Sequence, residues 1–239
     1  MDIINNGLGE DAGISFTPEG DPKALTVSDE EKALIRSVGR KLAYPRGQIL
    51  FAAGDLADRV YLLEQGWVRI FRLDFEGRKI TVGAIRNPGE LMGLAETLYH
   101  GERTCFAEAI TNVVVVKLTR GDFLRILEGT PTLALRVASL LGARMREAEG
   151  KVHELICLQV PGRLALLLMK IGERTGVPSD NGTLINLRLT HEEIASMIGT
   201  TRQTVTQTLN LFKKEKSIQI DGRMIKILDE QKLARWIYP

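Results

Sequence analysis

The alternation of apolar and polar residues divides the chain into parts with different periods. From Leu42 to Leu118 apolar residues recur mostly at every second position, and turns rich in Gly and Pro interrupt them. This pattern is typical of short antiparallel strands in a sandwich or barrel. The clearest strands are predicted in QILF, RVYLLEQGWVRIFRL, KITVGAI and AITNVVVVKL. An all-β domain is therefore predicted over residues 28–130, opened by a short helix that Ser28 and Glu31 cap.

A helical period begins after Asp122 and continues between Pro131 and Leu158. Packing against the β domain would explain its apolar residues, but a parallel homodimer explains so long and narrow a stripe better. We therefore predict a dimerisation helix with a hinge over residues 131–158. Its seam consists of Ala134, Ala138, Leu141, Met145, Ala148, Val152 and Leu155.

Two further short helices, joined by a tight turn, are predicted near the C-terminus. Thr190 and Glu193 form a capping box, so the first helix should begin there, and Gly199 should end it. The second helix should begin at Thr200 or Thr201. Its buried face is predicted to consist of Val205, Leu209 and Phe212.

The opposite face of the second helix carries polar side chains that suit contact with DNA bases. Beyond it, alternating residues flank Asp221 and Gly222, a pair that favours a two-residue hairpin turn. Paired helices also occur in all-α cores, but the nearby lysines and the hairpin favour a winged helix-turn-helix over residues 159–239. The predicted DNA contacts are Thr190, Thr201, Arg202, Gln203, Thr206, Gln207, Lys213 and Lys214.

Composition changes this picture only slightly. The 239 residues are 44% hydrophobic, enough for a sizeable core, and the formal net charge is only +2. Residues 1–31 carry eight Asp or Glu against Lys23, and residues 1–27 are predicted to form a mobile arm. Residues 186–239 carry nine Lys or Arg against six Asp or Glu. With no long apolar segment and no signal-peptide pattern, a cytoplasmic protein without a membrane partner is expected.

The residue types that carry chemistry exclude several classes of protein. Cys105 and Cys157 lie far apart without metal-ligand spacing, so no metal site is predicted and buried free thiols are expected. The three His residues are scattered, and the sequence contains none of the common hydrolase, metalloprotease or nucleotide-binding motifs. An enzyme is therefore not expected.

Two motifs carry a resemblance to a known family. One comprises YPRGQILFAAGDLADRVYLLEQGWVRI at 44–70, PGELMGL at 88–94 and ERT at 102–104, and the other is LTHEEIASMIGTTRQTVT at 189–206. Along residues 42–228 the chain resembles the cAMP receptor protein/FNR (Crp/Fnr) family of bacterial transcription factors. The resemblance implies an α+β fold with an N-terminal cyclic-nucleotide-binding-like β-roll (jelly roll), a long dimerisation helix and a C-terminal winged helix-turn-helix. It also implies an allosteric homodimer that binds double-stranded DNA at an inverted-repeat operator and acts on RNA polymerase.

The resemblance further implies an effector site between the β-roll and the dimerisation helix. Arg103 and Thr104 match the family's phosphate-binding Arg and Ser, but Leu94 replaces the Glu that accepts from the ribose of cAMP. Ala148 and Glu149 replace the family's adenine-facing Thr and Ser, so an anionic effector other than cAMP is expected. The predicted effector residues are Gly89, Glu90, Gly93, Leu94, Arg103, Thr104, Ala148 and Glu149.

The other effectors of the family are not expected. FNR-type oxygen sensing needs an N-terminal cysteine cluster, which this sequence lacks, so an iron–sulfur cluster is not supported. The segment TTRQTVT is similar to the haem-based carbon-monoxide sensors, but His100 is the only His in the β domain, and haem is not expected. A sensor module that acts on a protein partner without binding DNA is the alternative function.

Overall fold

The computed structural model describes residues 26–83 and 85–237. Its N-terminal domain is a β-roll of two antiparallel four-stranded sheets, ordered β1-β8-β3-β6 and β2-β7-β4-β5. The strands are β1 (Arg40–Tyr44), β2 (Ile49–Phe51), β3 (Arg59–Gln65), β4 (Val68–Leu73), β5 (Lys79–Thr81), β6 (Leu91–Met92), β7 (Phe106–Ala109) and β8 (Val113–Thr119). Leu63, Val68 and Val115 are fully buried in one of its cores, as expected where alternate residues face a second sheet.

The N-terminal part of the β-roll differs from the prediction in one respect. Helix α1 (Asp29–Val38) begins with the predicted Ser28–Glu31 capping box, which is confirmed. The predicted mobile arm, however, included Val27, which is buried and donates its backbone N–H to the Gly89 carbonyl. An apolar side chain so close to the β-roll gains more from burial than it loses in chain entropy. Residues 1–25 of the predicted arm lie outside the described residues.

A helix interrupts the segment that was predicted to be all β. Helix α2 (Leu94–Tyr99) follows β6 and buries Leu94 and Thr97. Gly93 precedes it with φ of +74°, a left-handed conformation that Gly adopts without a steric penalty. Six residues are too few to establish a helical period in the sequence, so this helix follows from tertiary packing.

Two helices connect the β-roll to the rest of the chain: α3 (Arg120–Gly129) and the long α4 (Pro131–Cys157). Leu133, Val137 and Leu140 of α4 are buried in the second core of the β-roll, at i, i+4 and i+7. The first three residues of the predicted dimer seam each follow a residue of this buried face by one position, so the seam lies on a different side of α4.

The C-terminal domain combines four helices with one small sheet ordered β11-β12-β10-β9. Its elements are α5 (Val160–Thr175), β9 (Gly176–Ser179), β10 (Gly182–Ile185), α6 (His191–Ile198), α7 (Arg202–Lys214), β11 (Ile218–Asp221), β12 (Met224–Ile227) and α8 (Glu230–Ile237). Strands β11 and β12 form the wing, and Asp221 pairs with Met224. The wing therefore turns at Gly222-Arg223, one residue later than predicted, because Gly222 supplies the positive φ of +58°.

Candidate nucleic-acid interface and sensor site

Helices α6 and α7 have the predicted helix-turn-helix geometry. Thr190 and Glu193 make the capping box in both directions, and Gly199 ends α6 in the left-handed conformation with φ of +65°. The Thr201 side chain caps α7 by accepting from the Thr204 backbone N–H, which decides between the two predicted starting points. The predicted apolar stripe is buried and comprises Val205, Leu209 and Phe212. The second helix is thus held by its apolar side and leaves the other side free.

The free side of α7 exposes most of the side chains predicted to contact bases. Arg202, Gln203 and Gln207 are exposed, and Lys213 and Lys214 are exposed in the last turn. The planar donors and acceptors thus lie near the N-terminal end of the helix, the part that enters a major groove in helix-turn-helix proteins.

The hydroxyl of Thr206, like those of the capping residues Thr190 and Thr201, is engaged inside the protein. It donates to the Arg202 carbonyl at 2.9 Å and lies 2.7 Å from Nδ1 of His191. The one hydroxyl hydrogen serves one of these two contacts, and the contact with His191 holds the imidazole against α7. Thr206 therefore orients His191 and the first turn of α7.

The wing supplies a basic residue that was not among the predicted DNA contacts. A groove of about 410 Å³ separates the wing from α6 and α7. Arg223 and Arg202 line it together with His191 and Thr190. A cation immediately after the Asp-Gly pair was the signal in the sequence, since a wing beside a recognition helix lies near the DNA backbone.

The predicted dimer seam lies largely on a surface that the chain itself leaves uncovered. Ala138, Met145, Ala148, Val152 and Leu155 are exposed, whereas Ala134 and Leu141 are half-buried. The large apolar side chains on this side of α4 are 47% to 78% exposed; they are Leu135, Met145, Val152, Leu155 and Ile156. Packing against the β-roll of the same chain therefore accounts for Leu141 but not for the exposed residues of the seam.

Two of the predicted effector residues meet a carboxylate of the chain itself. Thr104 Oγ1 donates to Glu96 Oε1 at 2.9 Å, and Arg103 lies 3.8 Å from Glu96 Oε2. Arg103 also donates to the Gly93 and Arg59 carbonyls. No pattern in the sequence pointed to Glu96, which lies in the short helix α2.

The other predicted effector residues either have structural contacts or are exposed on α4. Leu94 is buried in the core, and Gly89 is a turn residue with φ of +90° that donates to the Leu63 carbonyl. Ala148 and Glu149 are exposed on α4. The effector pocket expected between Arg103 and Glu149 stays a prediction, and within one chain α4 meets the β-roll through other side chains.

Those side chains form an ionic cluster between the β-roll and α4. Glu90 is only 1% exposed; it accepts from Arg144 of α4 and from the Asn87 side chain at 2.7 Å. Glu147 lies 3.3 Å from Arg144 and 3.6 Å from Arg86. Burial, together with the like charge of Arg144, lowers the pKa of Arg86 to about 10. Burial alone would raise the pKa of Glu147, but the two arginines hold it below its ordinary value.

The cysteine environments correct one prediction. Cys105 is half-buried, and burial raises the pKa of its thiol, but Cys157 is exposed at the end of α4. Cys157 Sγ lies 3.4 Å from Nε2 of His153, one turn earlier. In the described ranges, no three His, Cys, Asp or Glu side chains are grouped closely enough to hold a metal ion.

The sensor and DNA-binding domains touch directly. The Ser196 hydroxyl of α6 accepts from the Thr81 backbone N–H of edge strand β5 at 3.0 Å, and the two hydroxyls are 2.9 Å apart. Trp67, Ile85 and Ile110 of the β-roll pack into the core of the C-terminal domain. The first helix of the helix-turn-helix is therefore anchored to the β-roll of its own chain.

A β-roll joined through one long helix to a winged helix-turn-helix defines a DNA-binding regulator with a sensor domain. Residues 41–130 match the family model for the cyclic nucleotide-binding domain, and residues 162–236 match the Crp-like helix-turn-helix domain. The chain belongs to the Crp/Fnr family of transcription regulators.

Two relatives agree with this assignment. The chain is 32% identical over 209 residues to the cyclic AMP receptor protein of Thermus thermophilus, covering 87% of this chain and 93% of the relative. It is 31% identical over 194 residues to the global nitrogen regulator of Synechococcus elongatus, covering 80% of this chain and 87% of that protein.

Solved structures agree with the fold. A CRP-family transcriptional regulator from Thermus thermophilus matches with a TM-score of 0.72 and 27% identity, covering 83% of this chain and 97% of that one. A mutant of CooA from Carboxydothermus hydrogenoformans matches with a TM-score of 0.72 and 26% identity, covering 88% of this chain and 92% of that one. Within the described residues, no helix is both long enough and apolar enough to cross a bilayer.

Proposed function

We propose that the protein is a homodimer that binds an inverted-repeat operator and regulates transcription by RNA polymerase from it. The observation that carries this proposal is the free face of α7, which exposes Arg202, Gln203 and Gln207 while its apolar stripe is buried. Two such helices related by a two-fold axis would enter successive major grooves about 34 Å apart. The two half-sites would then be separated by one helical turn, ~10 bp.

Within each half-site, the side chains differ in what they recognise. Arg202 is proposed to make a bidentate contact to guanine, and Gln203 suits adenine, although it can also accept from cytosine. By its resemblance to the family, Gln207 stands where some members carry a second base-contacting Arg, so one position of the half-site is proposed to be read differently or not at all. The proposed phosphate contacts are Thr190, Lys213 and Lys214.

A competition assay on a selected operator tests these roles. Arg202→Ala should cost roughly 1–3 kcal/mol of binding free energy and relax the preference at one base pair. Lys213→Ala should weaken binding to all sequences alike and reduce the salt slope by about one. If Arg202→Ala weakened binding to the operator and to random DNA equally, Arg202 would contact only the backbone, and the proposed recognition face would be wrong.

Dimerisation is proposed to bury the exposed seam of α4 against the same seam of a second copy. Met145→Glu or Ala148→Glu would place like charges across the two-fold axis and should separate the subunits. Ser139→Glu is the matched control, because Ser139 is exposed on α4 outside the seam. Light scattering should give a dimer for the wild type and the control at micromolar concentration, and a wild-type monomer would contradict the proposal.

We further propose that the sensor domain controls DNA binding through the contacts that join it to the C-terminal domain. Besides the Thr81–Ser196 contact, Glu154 of α4 binds Lys170 of α5 across the hinge. Arg163 of α5 donates to the hinge carbonyl of Leu158 at 2.8 Å and to the Ile198 carbonyl at the end of α6 at 2.9 Å. A change in the angle between α4 and α5 would therefore move the helix-turn-helix as a unit.

A further inference from the structure

In the sensor domain, the two residues predicted to bind an anion, Arg103 and Thr104, contact a carboxylate of the chain itself. Arg103 and Thr104 both point at the Glu96 carboxylate, which they contact through different oxygens. The Arg103 side chain is 2% exposed and that of Glu96 is 13% exposed, so solvent screens this pair poorly. The guanidinium charge is thus compensated inside the protein.

The remaining contacts of Arg103 hold it in this position. Its guanidinium donates to the Gly93 carbonyl at 2.9 Å and to the Arg59 carbonyl, and it lies 4.5 Å from the centroid of the Phe51 ring. A Cβ on Gly93 would lie 2.7 Å from the guanidinium, so only Gly fits there without a shift. The guanidinium therefore has little freedom to turn toward a ligand elsewhere.

Helix α2 holds Glu96 in place as firmly as these contacts hold Arg103. Thr97, the next residue, is fully buried, donates its hydroxyl to the Arg59 carbonyl at 3.0 Å, and accepts from Arg120 through its own carbonyl at 2.9 Å. The Glu96 carbonyl accepts from the Gly101 backbone N–H at 2.9 Å, which closes the end of the helix. Both partners of the ion pair are therefore preorganised in the folded chain.

We infer that Glu96 determines the effector specificity of the sensor domain by acting as a built-in counter-ion that excludes phosphate-bearing ligands, cyclic nucleotides included. A phosphate that approached Arg103 and Thr104 would have to displace the carboxylate and would leave it buried beside a second negative charge. The domain matches the cyclic nucleotide-binding family model and nevertheless carries this carboxylate. The inference concerns the sensor domain alone and removes phosphate-bearing ligands from the anionic effectors expected from the sequence.

Isothermal titration calorimetry of the full chain with cAMP as the probe tests the inference without DNA. The wild type should give no saturable heat at millimolar cAMP. Glu96→Gln keeps an acceptor for Thr104 and removes the charge, and Glu96→Ala also removes the side chain. Either variant should bind cAMP at least about tenfold more tightly than the wild type.

Two control variants test whether the Glu96 charge and its contact with Arg103 are responsible for the change in cAMP binding. Glu102→Ala removes an exposed carboxylate from the same segment and should bind no better than the wild type. Adding Arg103→Met to Glu96→Gln should abolish the gain. Saturable cAMP binding by the wild type would overturn the inference, and so would a Glu96→Gln protein with wild-type circular dichroism that does not bind. Because DNA is not used, failure of this test leaves the operator proposal untouched, and the reverse also holds.

Discussion

The ion pair between Glu90 and Arg144 should contribute more to the free energy of unfolding than ion pairs on the protein surface do, because Glu90 is almost completely buried. Arg144→Met keeps a long side chain with good helix propensity but removes the guanidinium. Glu90 would then retain the Asn87 backbone N–H at 3.2 Å and the Asn87 side-chain amide at 2.7 Å as donors, with Arg86 as a remaining nearby cation. These partners compensate a carboxylate that is 1% exposed less completely without the Arg144 guanidinium.

The expected cost follows from this burial. Removing one partner of a buried pair costs about 3–5 kcal/mol, and we expect the lower end, about 3 kcal/mol, since the Arg144 side chain remains 19% exposed. Glu90→Gln should cost less, about 1–2 kcal/mol, because Arg144 keeps Glu147 at 3.3 Å as a second partner. The double variant Glu90→Gln/Arg144→Met leaves no uncompensated charge at position 90. It should therefore be more stable than Arg144→Met alone.

Urea unfolding followed by circular dichroism and tryptophan fluorescence measures these differences. Trp67 of the β-roll and Trp236 both pack against the core of the C-terminal domain, so fluorescence follows that core and its contact with the β-roll, whereas circular dichroism follows the whole chain. All variants are compared at one protein concentration, because dimerisation would add to apparent stability. A cost below about 1 kcal/mol for Arg144→Met, or strictly additive effects in the double variant, would refute the reasoning.

Two further predictions concern the contacts between the domains. Ser196→Ala leaves the buried Thr81 backbone N–H without its acceptor and should lower the unfolding free energy by about 1–3 kcal/mol. Its effect should not add to that of Thr81→Val in the double variant, and additive effects would contradict a direct coupling of the two residues. Burial alone would raise the pKa of Glu154, but Lys151 and Lys170 hold that pKa below its ordinary value of 4.5. The ionised Glu154 therefore stabilises the folded chain above about pH 4.5, and this stabilisation is lost as pH falls through the lowered pKa. The difference in unfolding free energy between wild type and Glu154→Gln should therefore shrink below about pH 4.5, and a difference that did not change with pH would contradict this assignment.

The features that the sequence determined by itself are those that depend on neighbours within one or two turns. The capping boxes at Ser28 and Thr190 and the end of α6 at Gly199 are present as predicted. Each rests on contacts between residues three or four positions apart, so residue type and spacing suffice. The apolar stripe of α7 and the alternation of the wing strands follow equally from a local period.

Some features that were not predicted, or were predicted one residue away, also depend only on neighbouring residues. Helix α8 places the buried Leu233 and Ile237 four residues apart, a helical spacing that is visible in the sequence. The wing turn moved by one residue because Gly222 takes the first central position, and Arg223 thereby joined the groove beside α7. These corrections needed no information from distant parts of the chain.

What only the tertiary structure decided is which charged groups meet. Glu90 and Arg144 are 54 residues apart, and Thr81 and Ser196 are 115 apart. Glu96 was placed beside Arg103 by helix α2, whose six residues form because Leu94 and Thr97 are buried against the β-roll. Local sequence determines periods and caps, whereas an ion pair depends on where two backbone segments come to rest after the cores have packed. For this reason the sequence could name Arg103 and Thr104 as candidate anion ligands but could not show that the Glu96 carboxylate lies beside them.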